Sequence, residues 1–387
     1  MGMIGGGQGS FIGGVHRMAA ALDGQIELVC GAFSSDPAKS KASGKELHLP
    51  EHRVYASYEE MISEEKQLPE EERMDFVAIV TPNHMHYTPA KLALENGFHV
   101  VCDKPISFTL DEAYSLKSIV EETGLVFALT HNYTAHPMVK QAKEIVASNQ
   151  IGKVRKVVVE YLQGWLSTKL EDTEQKQASW RVDPSKSGIA GAIGDIGTHA
   201  ANLAEYITNL QIKEVCADLS IFVEGRRLDD DANVLLRFDN GAKGILNVSQ
   251  ICAGEENNLT IRVYGEKGGI SWQQQEPNTL EVKHLDQPTQ LLRTASVGIG
   301  QAATAVTRIP AGHPEGYLEA FATIYNKFAH VLQAIKAGNK PNAEDLDFPS
   351  VDEGIKGMLF INKVVASSEA NQRWEELITE EKLAAYS

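Results

Sequence analysis

The sequence predicts two domains: an N-terminal α/β domain on a doubly wound parallel sheet, then an α+β domain with an open, mostly antiparallel sheet and helices on one face. Three observations predict this. Apolar strand-type runs alternate with helical periodicity over the first third of the chain. A glycine-rich turn follows the first of those runs. After about residue 150 the segments become β-branched and alternating, one after another at hairpin spacing. A length of 387 residues also suits two domains better than one core.

The first domain is expected over residues 1–130. Strands are predicted at 1–4, 26–33, 76–81, 99–102 and 126–130, and helices at 13–22, 88–96 and 111–123. Gly97 and Gly124 stand just past the last two helices, where a residue without Cβ ends a helix easily. The opening strand has four residues where about five or six is usual, which suggests that a few residues precede Met1. The acidic stretch 59–75 reads as a solvated surface insertion. The second domain is expected over 131–387, with strands at 154–162, 214–224, 233–238, 244–251, 259–264, 269–273 and 279–282 and an embedded helix at 196–208. Asn240-Gly241 is a hairpin turn between two of these strands. Amphipathic helices at 315–337 and 351–368 close the chain, and 284–312 reads as a surface or inter-subunit excursion.

Composition excludes several classes of function. Hydrophobic residues are 43% and charged residues 23%, as in ordinary globular proteins. No apolar run is long enough to span a membrane, and Met1-Gly2-Met3-Ile4-Gly5 has no basic leader, so a cytoplasmic protein is expected. Cys30, Cys102, Cys216 and Cys252 lie far apart without CxxC spacing, which points to buried thiols in a reducing compartment and not to disulfides or a metal. A net charge of −16 repels phosphate backbones and argues against nucleic acid.

Gly5-Gly6-Gly7-Gln8-Gly9-Ser10 follows the first strand and opens toward a helix, the context in which a glycine turn holds a dinucleotide. Gly5 permits the tight turn. Gly7 lets the backbone approach a pyrophosphate, held by the free N–H groups of the following helix start, and Ser10, Phe11 and Ile12 of the turn are candidate cofactor contacts. Ser10 stands in a glycine's place and the next glycines, Gly13 and Gly14, come late; the alternative is a plain structural turn. An acid for the ribose diol of NAD belongs at the end of the second strand, near Ser34. Asp36 is two residues late, and no arginine stands there to take a 2′-phosphate. NAD is the expected cofactor, with NADP left open; alternatively residues 34–36 cap the following helix.

Val80-Thr81-Pro82-Asn83-His84-Met85-His86 ends one parallel strand, and Val100-Val101-Cys102-Asp103-Lys104-Pro105 ends the next. Gly194-Asp195-Ile196-Gly197-Thr198-His199 follows in the second domain. In this order the motifs resemble the glucose–fructose oxidoreductase / inositol dehydrogenase / MocA family, with Asp103 where the family has glutamate. Trp180-Arg181-Val182-Asp183-Pro184, Gly312-His313-Pro314-Glu315-Gly316 and the long turn through Ile12-Gly13-Gly14-Val15-His16-Arg17 resemble its sugar-oxidising branch, the glycoside or levoglucosan-type dehydrogenases. The resemblance covers nearly the whole chain. It implies a Rossmann domain and a sugar or cyclitol substrate. It also implies a homodimer or homotetramer through the second domain's sheet, Asn132 and Tyr133 near the nicotinamide or substrate, and His86 on the cofactor side.

The residues themselves allow this chemistry. Ligands of open parallel sheets sit at the carboxyl ends of the strands, where Thr81, Pro82, Asn83, Asp103 and Lys104 fall. A lysine ammonium beside a hydroxyl favours the alkoxide-like state that hydride departure requires; the alternative is a surface ion pair of Lys104 with Asp103. Asp195 and His199, four apart, share one helix face. His199 is the expected base, since imidazole changes charge near neutral pH, and Asp195 holds a second hydroxyl or orients the ring. The pair can also be read as part of a metal site lacking further ligands, or as a helix cap with an incidental histidine. Trp180 and Arg181 are candidates for stacking on and hydrogen-bonding to a sugar, Trp165 and His313 for further contacts, with buried structural tryptophans as the alternative. The leading expectation is hydride transfer between nicotinamide and a ring hydroxyl carbon. The competing expectations are net non-redox glycoside chemistry on tightly held NAD, and a non-catalytic dinucleotide sensor.

Overall fold

The strand-type segments form two sheets and the period-3.6 segments form helices in the computed structural model, which describes residues 1–173 and 175–377. By compactness the chain divides into two units. The first is Met1–Asn132 with Tyr317–Ile355; the second is Tyr133–Gly316 with the chain from Lys356 onward. The expected linear division at residue 130 has no place for this return of 317–355, because the apolar faces that decide it are distant in sequence. Tyr325 and Phe328, on the helix Tyr317–Lys336, pack against His16 and Phe76 with ring centroids 5.7 and 5.0 Å apart.

The sheet of the first unit has five parallel strands: β1 (Gly2–Gly5), β2 (Cys30–Ala32), β3 (Phe76–Val80), β4 (His99–Cys102) and β5 (Phe127–Leu129), in the order β2-β1-β3-β4-β5. All five residues of β3 are buried, as in a strand covered on both faces. The direction of winding reverses between β1 and β3, the switch point at which such sheets bind ligands. A parallel bridge from Gly31 to Val54 extends the sheet beyond β2. The second strand is shorter than expected, Cys30–Ala32; ahead of it Val29 N–H donates to Met1 O at 3.0 Å and Glu27 O accepts from the Met1 ammonium at 2.8 Å. The acidic stretch is more than a solvated insertion. Its helix Tyr58–Gln67 buries Met61, Ile62 and Glu65, and the Glu65 carboxylate accepts from Arg53, Tyr55 and the Met74 N–H.

The second unit carries β6 (Lys156–Leu162), β7 (Ile212–Ser220), β8 (Asp231–Phe238), β9 (Lys243–Ser249), β10 (Asn258–Tyr264), β11 (Gly268–Gln273), β12 (Thr279–His284), β13 (Gln290–Arg293) and β14 (Glu375–Glu376). Their order is β13-β12-β11-β10-β6-β9-β8-β7-β14, antiparallel throughout except for β6 against β9. The expected excursion after residue 284 thus contributes an edge strand, β13. Helices Pro137–Ala147 and Thr198–Thr208 cover one face. The other face keeps the exposed half of the alternation, as along β8.

Candidate active site

The carboxyl edge of the first sheet collects the expected cofactor residues. Register aligns Gly5 with Val80, Ile79 with Cys102 and Cys102 with Leu129, so the segments after β1, β3, β4 and β5 leave the sheet side by side. Gly5, Gly6 and Gly9 take the left-handed backbone that glycine adopts without strain. Ser10 departs from the common glycine because it is a cap: its side chain accepts from Gly13 N–H at 3.3 Å and opens the helix Phe11–Leu22, two residues earlier than expected. The close approach of helix to strand falls to Gly13, where a Cβ would lie 2.3 Å from Gly6 Cα. Gly7 is required by packing as well, since its Cβ would meet Phe33 O at 2.8 Å. Phe11 is largely exposed at this turn, and Ile12 is half-buried.

At the end of β2, Ser34 is half-buried and its hydroxyl accepts from Asp36 N–H at 3.1 Å. Asp36 caps the helix Pro37–Glu46 by accepting from Ala38 and Lys39 N–H. The capping alternative therefore describes Asp36.

Lys104 stands between two groups of buried partners, its peptide bond to Pro105 being cis. Asp103 faces inward. His16 Nε2 lies 3.1 Å from its Oδ1, and Thr130 Oγ1 donates to the same oxygen. Burial opposes the charge, but His16 and these hydrogen bonds outweigh it and hold the Asp103 carboxyl at about 2. Tyr325 OH fixes the other ring nitrogen of His16 at 2.7 Å. On the other side, buried His86 places Nδ1 2.6 Å from Pro105 O and Nε2 2.8 Å from Thr81 O. It thus staples the Thr81-Pro82-Asn83 turn to the Lys104-Pro105 turn from behind. Asn83 is buried in a 3-10 turn that closes through His86 N–H to Asn83 O. Burial, with the Lys104 charge adding to it, pushes neighbouring His131 down to about 3. Asn132 is buried with its Nδ2 donor unpartnered. An orphaned amide donor at the carboxyl edge of β5, on the same sheet edge as the glycine turn after β1, fits a dinucleotide ending in a polar ring substituent.

In the second unit Asp195 and His199 share one continuous helical segment. It starts earlier than expected, with a π turn Ile193–Gly197 leading into Thr198–Thr208. Asp195 Oδ2 accepts from Arg181 Nε at 3.1 Å and from Gln250 Nε2 at 2.9 Å. The Arg181 guanidinium lies 4.3 Å over the Trp180 ring and 5.9 Å over that of Trp165. These half-buried tryptophans thus flank the cation that pairs with Asp195. His199 is buried, and the Tyr133 ring meets it edge-on at 4.9 Å. The Tyr133 hydroxyl is tied into a closed set with Tyr161 OH (2.6 Å) and Asn257 Nδ2 (3.2 Å), while Tyr161 donates to Asn257 Oδ1 at 2.8 Å. Tyr133 therefore backs the histidine. His313 is exposed on its loop, 3.2 Å from Pro310 O. Buried Glu315 pins that loop through Arg308 and Ile309 N–H.

Sequence reasoning missed Gln163, Gln250, Asn257, Tyr161 and His16. Gln163 joins the two halves of the network, accepting from Trp165 Nε1 at 3.0 Å and donating to Asn257 Oδ1 at 2.7 Å. A polar residue at a strand end was the only local signal for Gln163 and Gln250. Among the described residues no group of His, Cys, Asp and Glu is arranged to hold a metal ion, and no helix is long and apolar enough to cross a membrane.

Comparison with known proteins matches this arrangement. The profile of the oxidoreductase family with NAD-binding Rossmann fold covers residues 1–131, and that of the GFO/IDH/MocA C-terminal domain covers 139–271. The chain belongs to the GFO/IDH/MocA oxidoreductase family. An oxidoreductase from Sinorhizobium meliloti is 46% identical, with a TM-score of 0.86 over 97% of this chain and 98% of that one. An inositol dehydrogenase homologue from Azotobacter vinelandii, crystallised with NAD+, is 33% identical with a TM-score of 0.93 over 97% and 96%. The same Azotobacter protein is known with NADH and myo-inositol. Levoglucosan dehydrogenase of Pseudarthrobacter phenanthrenivorans is 28% identical over 73% of this chain and 75% of its own length. As a GFO/IDH/MocA protein the chain is an oxidoreductase with an NAD-binding Rossmann domain on a parallel sheet and a second, mostly antiparallel sheet.

Proposed function

We propose that the protein is a dehydrogenase of a ring hydroxyl on a sugar, glycoside or cyclitol, with Lys104, Asp195 and His199 acting at the reacting hydroxyl. The observation that carries the reading is the Asp195/His199 helix, where an acid held by Arg181 and Gln250 stands one turn from a histidine backed by Tyr133. The relatives bound to myo-inositol or named for levoglucosan support the substrate class.

NAD is held by the Gly5–Gly9 turn with Ser10, Phe11 and Ile12, by Ser34, by the Thr81-Pro82-Asn83 turn, and by Asn132 through its orphaned donor. Asp103 and His86 keep Lys104 and that turn in place. When bound, the nicotinamide supplies the hydride acceptor in oxidation and the donor in reduction. His199 takes the hydroxyl proton as the carbon is oxidised. The Lys104 ammonium stabilises the developing oxyanion. Asp195, its orientation set by Arg181 and Gln250, holds a second hydroxyl of the ring. Trp165, Trp180 and His313 contribute further substrate contacts.

The test is a panel of myo-inositol, levoglucosan and free aldoses with NAD, read as growth of reduced-nicotinamide absorbance. Turnover on at least one of them, lost in Lys104→Met and His199→Asn, is expected. Equal rates in wild type and both variants would refute the assignment. We further propose that the outer face of the second sheet pairs copies of this chain into a homodimer or homotetramer. Leu235 and Ile245 are direct cross-strand partners there, and both are exposed. Light scattering on the wild type and on Leu235→Glu should show an oligomer and a smaller species; two monomers would refute it.

A further inference from the structure

We propose that Asp229 is the positioning residue of the reacting pair, acting through the backbone it grips and without touching substrate. The inference rests on the reading that Asp195 and His199 perform the chemistry. Asp229 is buried in the loop between β7 and β8. It takes three successive amides of another segment. Gly191 N–H donates to its Oδ1 at 2.6 Å, Ala192 N–H to its main-chain oxygen at 2.8 Å, and Ile193 N–H to its Oδ2 at 2.7 Å.

Those amides are the unsatisfied donors with which every helix begins. The residue at the cap position, Ala192, has no side chain to accept from them, so the cap arrives from 36 to 38 residues away. The fit is closed: a Cβ on Gly191 would lie 2.1 Å from Asp229 O. The first bond of the turn, Asp195 N–H to Gly191 O at 2.9 Å, closes on the residue that Asp229 holds. Rotation and depth of the helix bearing Asp195 and His199 are thereby set at its first turn.

The next residue completes the arrangement. The Asp230 carboxylate accepts from Phe222 and Val223 N–H and from Arg226, while its main-chain oxygen accepts from Gln250 N–H at 2.9 Å. Gln250 is the amide that donates to Asp195. One dipeptide therefore locates the acid from its own backbone and from its hydrogen-bond donor. A buried carboxylate is a costly way to start a helix when serine or asparagine suffices at ordinary caps. What the carboxylate adds is a second acceptor oxygen, so that two amides are gripped by one rigid group.

The test uses Asp229→Asn, which keeps the shape and loses one acceptor, and Gly191→Ala, which closes the same contact from the other side. Asp36→Ala removes an ordinary helix cap and serves as the control. Rates are read below each variant's melting transition and normalised to protein that binds NAD. We expect kcat to fall about 10- to 100-fold in Asp229→Asn and Gly191→Ala, since a misplacement of about 1 Å costs this much, with NAD affinity within about twofold of wild type. The Asp36→Ala control should keep its kcat. If Asp195→Asn and His199→Asn abolish turnover while Asp229→Asn and Gly191→Ala keep wild-type kcat, this inference fails and the reading beneath it stands. If Asp195→Asn and His199→Asn turn over normally, that reading fails first. Failure of both clamp variants to fold would make Asp229 a folding element and overturn the proposal.

Discussion

Two adjacent glycines should respond to alanine in opposite directions. At Gly13 an added Cβ would lie 2.3 Å from Gly6 Cα, 2.5 Å from Gly6 O and 2.8 Å from Gly6 C. Unstrained carbon–carbon contacts are about 3.5–4.0 Å, so the helix Phe11–Leu22 must retreat by more than about 1 Å from the end of β1. The obstacle is backbone, and no side chain is there to swing aside. Overpacking of this kind costs about 1–3 kcal/mol. For domains of this size that lowers Tm by about 3–10 °C. Because the retreat opens the glycine cradle, NAD affinity should fall at least about tenfold, equivalent to about 1.4 kcal/mol. At Gly14 nothing lies within 4 Å of an added Cβ, and the residue is inside the helix. Alanine there should stabilise by about 0.5–1 kcal/mol through helix propensity and leave NAD affinity unchanged. The assay is thermal melting with and without NAD, with affinity from calorimetry. Shifts of the same sign in both variants, or a Gly13→Ala protein with wild-type Tm and affinity, would refute the packing argument.

Other consequences are equally direct. Lys104→Met should lower kcat by about 10²–10³, the usual loss when one oxyanion donor is removed, while NAD still binds; a smaller loss in kcat than in cofactor affinity would assign Lys104 to the nucleotide instead. Asp36→Ala should cost about 1 kcal/mol as a lost helix cap and leave the apparent KM for NAD unchanged, whereas a large rise in KM would make Asp36 the missing ribose acid. Acid should destabilise the fold from about pH 6.5 downward. His131 and His136 are held down to about 3, chiefly by burial, so the unfolded chain takes their protons first as pH falls below about 6.5. Their stabilisation is complete above that value and is lost progressively toward pH 3. By pH 5 each forfeits on the order of 2 kcal/mol. A Tm that stays flat between pH 7.5 and 5 would contradict this.

The local part of the fold was open to reading from the chain. Strand and helix types follow from spacings of two to four residues, and a short-range signal needs no knowledge of what lies opposite. The strand His99–Cys102, the hairpin at Asn240-Gly241 and the helix Val351–Glu369 came within a residue or so of expectation for that reason. The turn at Gly5 and the four-residue separation of Asp195 and His199 are likewise local facts. Where a boundary moved, a distant partner moved it. The helix bearing Asp195 began early because Asp229 caps it.

Sequence by itself determined most strands and helices, the family, and which residues are candidates for the chemistry, since each is written in residue type and short spacing. Tertiary structure decided which glycine permits the approach of helix to strand, and the answer was Gly13 against Gly6. It decided that Asp103 turns to His16, 87 residues away, and that His16 is held by Tyr325, 309 residues away. It also gave Asp195 its partners Arg181 and Gln250, from a short helix and a strand end. Such pairings depend on how buried faces pack together, and packing is a property of segments that meet only after the chain has folded.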